Sequence, residues 1–258
     1  MGISKKTLNR KGIKGMLEDK LIKLKGLIER SEKIVFFGGA GVSTESHIPD
    51  FRSADGLYVK GNNRTFLPET ILSHSFFMSH TSEFYTFYKT NMIYESAKPN
   101  PAHLALAELE ARGKLKAVIT QNIDGLHQMA GSKNVLELHG SIHKNKCMVC
   151  GKAHSLDHII HSEDVPKCII CGGIVKPEVV LYEENLDMTV VDQAVKAIAT
   201  ADLLIVGGTS LVVYPAAGLI DYFRGKSMVL INKDTTPHDH KAGLQIHAPI
   251  GEVLSQCL

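Results

Sequence analysis

Four cysteines carry the sharpest chemical signal in this 258-residue chain. Cys147 and Cys150 form one C-x-x-C pair, and Cys168 and Cys171 form a second after seventeen intervening residues. Two such pairs can complete a tetrahedral thiolate shell around one zinc ion. Four thiolates leave no open position for water, so a zinc there would be structural. A redox dithiol or two chance pairs would give the same letters. In a cytosolic chain, where disulfides rarely persist, the metal is the stronger reading. Cys257 is left over, with no evident role.

A second cluster begins where the apolar run 34–37 meets Gly38, Gly39, Ala40 and Gly41. Glycines let a backbone approach a pyrophosphate, and a following helix N-terminus offers free N–H groups. A tight strand–helix turn alone would look the same. The full dinucleotide fingerprint G-x-G-x-x-G fails, because Thr44 stands where its third glycine belongs. Asp50, Phe51 and Arg52 follow, offering an anion, an aromatic face and a guanidinium that can pair with phosphate. Gln121, Asn122, Ile123 and Asp124 then leave the end of an apolar run at 117–119. In open α/β sheets, ligands bind at the carboxyl ends of strands, so this polar group belongs to a cleft. His139 leaves the next run, 135–138, as a candidate general base. The chain has 13 histidines, so residue type alone says little.

These residues need a scaffold. Short apolar runs at 34–37, 117–119, 135–138, 203–206 and 228–231 lack polar alternation, as strands buried on both faces of a parallel sheet do. Leu17, Leu21, Leu24 and Ile28 share one helical face within 16–30. Asn100 and Pro101 are N-cap and first residue of a helix running to about Arg112, with Leu104, Ala105 and Leu109 inward. Further helices are expected over 187–199 and 215–223. The alternation predicts a Rossmann-like, doubly wound α/β fold. Residues 57–92 read as a helical excursion and 144–173 as a zinc-binding module, together a smaller inserted domain. The large domain takes 15–56, 93–143 and 174–258. Residues 1–14 read as a basic, solvated tail.

Composition excludes several classes. The chain is 44% hydrophobic and 22% charged, with formal net charge +2. Wholesale disorder and fibrous architectures do not fit. The longest mostly apolar run, 211–220, is too short for a membrane span and contains Pro215. With no signal-peptide shape at the start, the expected compartment is the cytoplasm. The excess positive charge lies in residues 1–26, so no specific nucleic-acid partner is expected of the body.

The segments GAGVSTESHIPDFRS, TQNIDGLH, ELHGS, the paired C-x-x-C and GGTSLVVYPA occur in one order along the chain. In that order they resemble the sirtuin (Sir2) family of NAD-dependent protein deacylases, bacterial type, from about residue 15 to the end. The resemblance implies NAD as co-substrate, one structural zinc, and acetylated lysines of proteins as substrate. Ala40, Gly41 and Thr44 would line the pyrophosphate, with Asp50 and Arg52 beside it. Phe51 would shield the nicotinamide ribose. Gln121 and Asn122 would hold ribose hydroxyls and water, and Asn122 would share the catalytic work. Ile123 and Asp124 would form the nicotinamide pocket. Gly208, Thr209, Ser210 and Asn232 would meet the adenosine ribose, and Ile250 the adenine. Val179, Tyr182, Tyr85 and Tyr214 would contact the acyl-lysine peptide. His139 would take a proton from the ribose hydroxyls, after the acyl oxygen has attacked C1′ and nicotinamide has left. The products would be free lysine, nicotinamide and O-acetyl-ADP-ribose.

Two positions depart from the family pattern. His47 and Glu183 stand where the family carries glycine. The branch that removes acidic acyl groups has a Tyr and, three residues on, an Arg. Here the pair is Tyr85 and Tyr88, which packing aromatics of the helical insertion would equally explain, and Lys89 lies off that helical face. The expected preference is therefore for neutral acyl groups. Three rivals are a protein mono-ADP-ribosyltransferase, a non-enzymatic NAD sensor and a dehydrogenase. The dehydrogenase fails on the missing third glycine and leaves the zinc pattern unexplained.

Overall fold

The computed structural model describes residues 5–51, 56–57 and 66–258, the first ten of these by backbone alone. Nine strands appear among them: β1 (Ile34–Gly38), β2 (Leu115–Thr120), β3 (Val135–Glu137), β4 (Gly140–Cys147), β5 (Ala153–His154), β6 (Val175–Val179), β7 (Leu203–Gly207), β8 (Ser227–Ile231) and β9 (Leu244–Ile246). Six form one parallel sheet in the order β3-β2-β1-β7-β8-β9. The order reverses its course at β1, next to the glycine turn. That reversal is the topological switch point where such sheets bind ligands.

The strands are apolar because both faces are covered. Ile34 and Phe36 of β1 enter one core cluster, with Leu24 and Ile28 of the first helix. Val35 and Phe37 enter the other, with Ala194 and Ile198 of the helix Met188–Thr200. This is the period-two alternation of a strand sandwiched between helix layers.

The first helix is longer than the apolar face predicts. It spans Lys5–Arg30 and so begins inside the stretch read as a solvated tail. Asn100 caps the helix Pro101–Ala111 by accepting from Ala102 N at 2.9 Å, while His103 Nδ1 accepts from Asn100 N at 3.2 Å. Ala105 and Leu109 face inward as expected, but Leu104 is exposed; Ala102 and Leu106 take the inner face instead. The segment expected as a helix over 215–223 is a 3-10 helix, Ala216–Tyr222. Strand β9 is too short to stand out as a run.

The excursion over 57–92 contains the helices Pro68–Ile71, His74–Ser79 and Thr81–Asn91. It packs on a second, antiparallel sheet in the order β5-β4-β6. That sheet runs past the 144–173 stretch at both ends. Its strands alternate short polar and apolar residues, which left no apolar run to read. Helices and sheet share one core of Phe76, Phe77, Phe84, Tyr85, Tyr88, Ile142 and Val179. No helix among the described residues is long and apolar enough to cross a membrane.

Candidate active site

A cavity of about 1280 Å³ opens between the carboxyl ends of the parallel strands and the smaller module. Ala40, Gly41, Thr44, Asp50 and Phe51 line it from the turn after β1. Gln121, Asn122, Ile123, Asp124 and His139 line it after β2 and β3. Gly208, Thr209, Ser210 and Tyr214 enter after β7, and Asn232 and Ile250 from the far edge. Val179 and Tyr182 close it from the module. Arg52 lies outside the described residues.

The turn depends on glycine for a packing reason. Gly41 N donates to Gly208 O at 2.8 Å, and a Cβ on Gly41 would sit 2.8 Å from Gly208 Cα. Only a residue without a side chain lets the loops after β1 and β7 come so close.

His139 is held at both ends. Its carbonyl accepts from Val180 N at 2.9 Å, and the next residue, Gly140, pairs with Val179. A Cβ on Gly140 would fall 1.9 Å from Glu178 O, and its φ is 73°. His139 Nδ1 lies 3.0 Å from Gln121 O. A carbonyl only accepts, so Nδ1 must carry the proton. Nε2 is then the atom with the free lone pair. Burial pushes the imidazole pKa below its ordinary value, against the opposite pull of the Gln121 carbonyl. The ring is neutral at pH 7 and able to accept a proton.

One residue not anticipated joins the others. Ser43 Oγ donates to Asp124 Oδ2 at 2.6 Å and accepts from Asn122 Nδ2 at 3.0 Å. Asp124 Oδ1 also accepts from Leu126 N at 2.9 Å. Burial raises the Asp124 pKa, and the Ser43 and Leu126 hydrogen bonds pull it back. A hydroxyl two residues past Gly41 was the available signal, but serine is common in such turns. Gln121 Nε2 donates to Thr209 Oγ1 at 3.1 Å, joining the strand ends on either side of β1.

Tyr85 is a correction. It does not line the cavity; its ring is buried in the module core and its hydroxyl donates to Val175 O. Tyr88, one helical turn on, does line the cavity. Lys89 turns away, donating to Ser162 Oγ at 2.8 Å and Asp164 O at 3.1 Å. Tyr182 anchors the module's edge, donating its N–H to Leu72 O at 2.9 Å and accepting from His74 N at 3.0 Å.

Both departures from glycine adopt left-handed backbone, His47 with φ 64° and Glu183 with φ 74°. The Glu183 carboxylate accepts from Ser75 N at 2.9 Å and Ser75 Oγ at 2.6 Å, which helps hold that strained turn.

The four cysteines converge away from the cavity. Their sulfurs all lie within 4.8 Å of one another, Cys147 Sγ 3.5 Å from Cys171 Sγ and Cys150 Sγ 3.6 Å from Cys168 Sγ. Val149 N and Ile170 N each donate to a sulfur at 3.4 Å, as amides in a zinc knuckle do. The Cys150 amide holds the Cys147 thiol down to about 6, which favours the ligating thiolate. Donor type, number and spacing fit one tetrahedral zinc. Cys257 lies in the core near the first helix, its pKa raised to about 11 by burial.

The family model described as "Sir2 family" matches residues 39–215. The chain belongs to the Sir2 family. A sirtuin from Clostridium acetobutylicum named NAD-dependent protein deacetylase is 61% identical over 93% of this chain and 98% of its own length. One of the same name from Clostridium perfringens is also 61% identical, over 94% of this chain and 100% of its own. A solved Sir2–p53 peptide–NAD+ complex is 41% identical, with TM-score 0.79 over 90% of this sirtuin and 94% of that chain. The fold expected of the family, a Rossmann-like sheet with a zinc-type module, is the fold of this sirtuin.

Proposed function

We propose that this sirtuin is an NAD-dependent protein-lysine deacetylase that moves the acyl group of an acetylated lysine to ADP-ribose, releasing nicotinamide. One observation carries the reading. His139, its Nδ1 proton committed to Gln121 O, shares a cavity with the glycine turn and the Asn122–Ser43–Asp124 chain. A module that only sensed NAD would need no base there.

NAD supplies the reacting ribose carbon and carries the acyl group away. The chain's own residues do the rest. Ala40, Gly41 and Thr44 present the backbone of the turn to the pyrophosphate. Asp50 and Arg52 assist there. Gly208, Thr209, Ser210 and Asn232 hold the adenosine ribose, with Ile250 against the adenine. Ile123 and Asp124 hold nicotinamide. Ser43 fixes the Asp124 carboxylate and the Asn122 amide in one orientation, so little reorganisation remains for the reaction. Phe51 excludes water from the reacting centre. His139 Nε2 takes a proton from a ribose hydroxyl, which then attacks the acyl carbon. Val179, Tyr182 and Tyr214 contact the peptide. The zinc sets the module's shape and takes no chemical step.

Among the described residues that line the cavity, Lys233, beside Asn232, is the only lysine or arginine, and Lys89 is committed to Ser162 and Asp164, which supports a preference for neutral acyl groups. A carboxylate desolvated there without a partner would cost several kcal/mol, on the order of buried-ion penalties. The cytoplasm is the proposed location, because four thiolates stay reduced there.

The test is mass spectrometry of an acetyl-lysine peptide incubated with NAD. Expected are the deacetylated peptide, nicotinamide and O-acetyl-ADP-ribose in equal amounts. Transfer of ADP-ribose to protein with the peptide still acetylated would replace this reading with the transferase one.

A further inference from the structure

The two cysteine knuckles end in apolar tips that the module core does not use. The residues between the cysteines are Met148 and Val149 in one knuckle and Ile169 and Ile170 in the other. Val149, Ile169 and Ile170 are 74%, 73% and 69% exposed, and Met148 is 46% exposed. The tips adjoin: Met148 N donates to Ile174 O at 2.9 Å, and a Cβ on Gly173 would fall 2.7 Å from Val149 Cγ2. Single exposed apolar residues are ordinary, but a contiguous group marks a contact surface. Lysines rim this one. Lys146 precedes the first cysteine pair, Lys152 follows it and Lys167 precedes the second. All three are exposed, and none enters an ion pair among the described residues. No aspartate or glutamate lies within 144–156 or 165–177. The backbone of the tips is bonded internally. Besides the Val149 and Ile170 amides on sulfur, Gly151 N donates to Cys147 O at 3.0 Å and Gly172 N to Cys168 O at 2.9 Å. Such tips can leave water without stranding those amides.

We propose that this patch seats the chain on an anionic membrane surface, with the four apolar side chains in the headgroup layer and the three lysines against lipid phosphates. Side chains exposed to this degree stand out from the protein and line no groove. A lipid interface yields to them, whereas a folded partner would need a matching hollow. The rim sets the sign of the surface: lysines beside a bilayer are attracted to anionic lipid. A second copy of the chain fits poorly, because a symmetric contact would set lysines against lysines. The contact is superficial, since no helix among the described residues is long and apolar enough to cross a membrane. None of the tip residues lines the cavity, so a chain seated this way keeps that cavity open. The proposal goes beyond the deacetylase reading and does not depend on it.

The experiment is co-sedimentation of the native, metal-loaded chain with vesicles of phosphatidylcholine, alone or mixed with phosphatidylglycerol. Wild type should partition on to the mixed vesicles and stay in solution with the neutral ones. Val149→Ser together with Ile170→Ser should weaken partition by about tenfold or more, through the apolar area withdrawn. Lys146→Gln, Lys152→Gln and Lys167→Gln together should weaken it roughly a hundredfold, at about fivefold per lysine. Leu104→Ser, at an exposed leucine far along the chain on the helix Pro101–Ala111, should leave it unchanged. Zinc content and Tm show whether each variant folds, and the wild-type comparison stands whether or not they do. Wild type that ignores the mixed vesicles overturns the proposal and leaves the tips to a protein partner. Equal binding to neutral vesicles overturns it as well. So does full binding by the folded tip variants, which would place the contact on another basic surface such as the first helix.

Discussion

The parallel sheet and the small module hold themselves together by different means. The sheet buries aliphatic side chains on two faces, in two separate clusters, and its strands are mutually hydrogen-bonded along their length. The module has one small core, rich in aromatic rings, and a three-stranded antiparallel sheet with β5 only two residues long. Its remaining constraint is four converging sulfurs. A region of that size buries too little apolar area to be stable alone, and a metal is the common remedy. The comparison also divides the work. The turn, the polar chain and His139 belong to loops at the sheet's edge, while the module contributes the apolar wall of the cavity.

Metal removal should separate the two regions most strongly. Structural zinc sites contribute on the order of 10 kcal/mol in small metal-dependent domains. A strong chelator, or Cys168→Ser, should melt the module and abolish acetyl-peptide turnover. Hydrogen exchange should show β4 and β6 losing protection while β1 and β7 keep theirs. Metal analysis should find about one zinc per native chain. Uniform loss of protection across both sheets would show that the two regions fold as one unit.

Acid should act from the other side. His103 and His127 lie behind the turn with ring centroids 4.6 Å apart, and both are buried. Burial lowers His103 to about 4 and His127 to about 3. The unfolded chain takes up these protons near pH 6.5 and the folded chain only far below it. Their contribution to stability is therefore complete above about pH 6.5 and falls as the pH drops towards 4, by several kcal/mol in order of magnitude. Denaturant midpoints measured over that range check it. His103→Gln should flatten the acid limb.

His139→Ala should lower kcat/KM by about 10²–10⁴, the usual worth of a general base. NAD affinity by calorimetry should change little. Because burial holds the His139 pKa below its ordinary value, wild-type kcat/KM should stay level as the pH falls through about 6.5 and decline only below it. An activity that drops in step with an ordinary imidazole would place the base elsewhere. Ser43→Ala comes next, with a loss of roughly tenfold in kcat/KM, since it leaves Asn122 and Asp124 without the shared hydroxyl. The smallest expected effect is His47→Gly. His47 is exposed and left-handed, so glycine should raise stability by about 0.5 kcal/mol, read as a small increase in Tm.

The sheet was the legible region. Buried parallel strands are short unbroken apolar runs, and Asn100-Pro101 marks a helix start by chemistry local to those residues. The module was legible through its cysteines and its helical excursion, but not through its sheet. The strands of its sheet have no run to read, since half their residues face water. Tyr85 and Tyr88 show the limit at the scale of one side chain. Both are buried on one helix, and sequence spacing does not say which of two neighbouring turns meets the cavity.

What the sequence determined by itself is whatever neighbouring residues decide among themselves: strand runs, the glycine turn, the capped helix and the spacing of zinc ligands. The tertiary structure decided the states of the candidate site groups. His139 offers Nε2 because Gln121, eighteen positions earlier, turns its carbonyl to Nδ1. Asp124 is held by Ser43 across 81 positions of chain. His47 is left-handed although nothing in its own side chain asks for it. Hydrogen-bond direction, burial and backbone strain depend on what lies close in space, and chain distance carries almost none of that information.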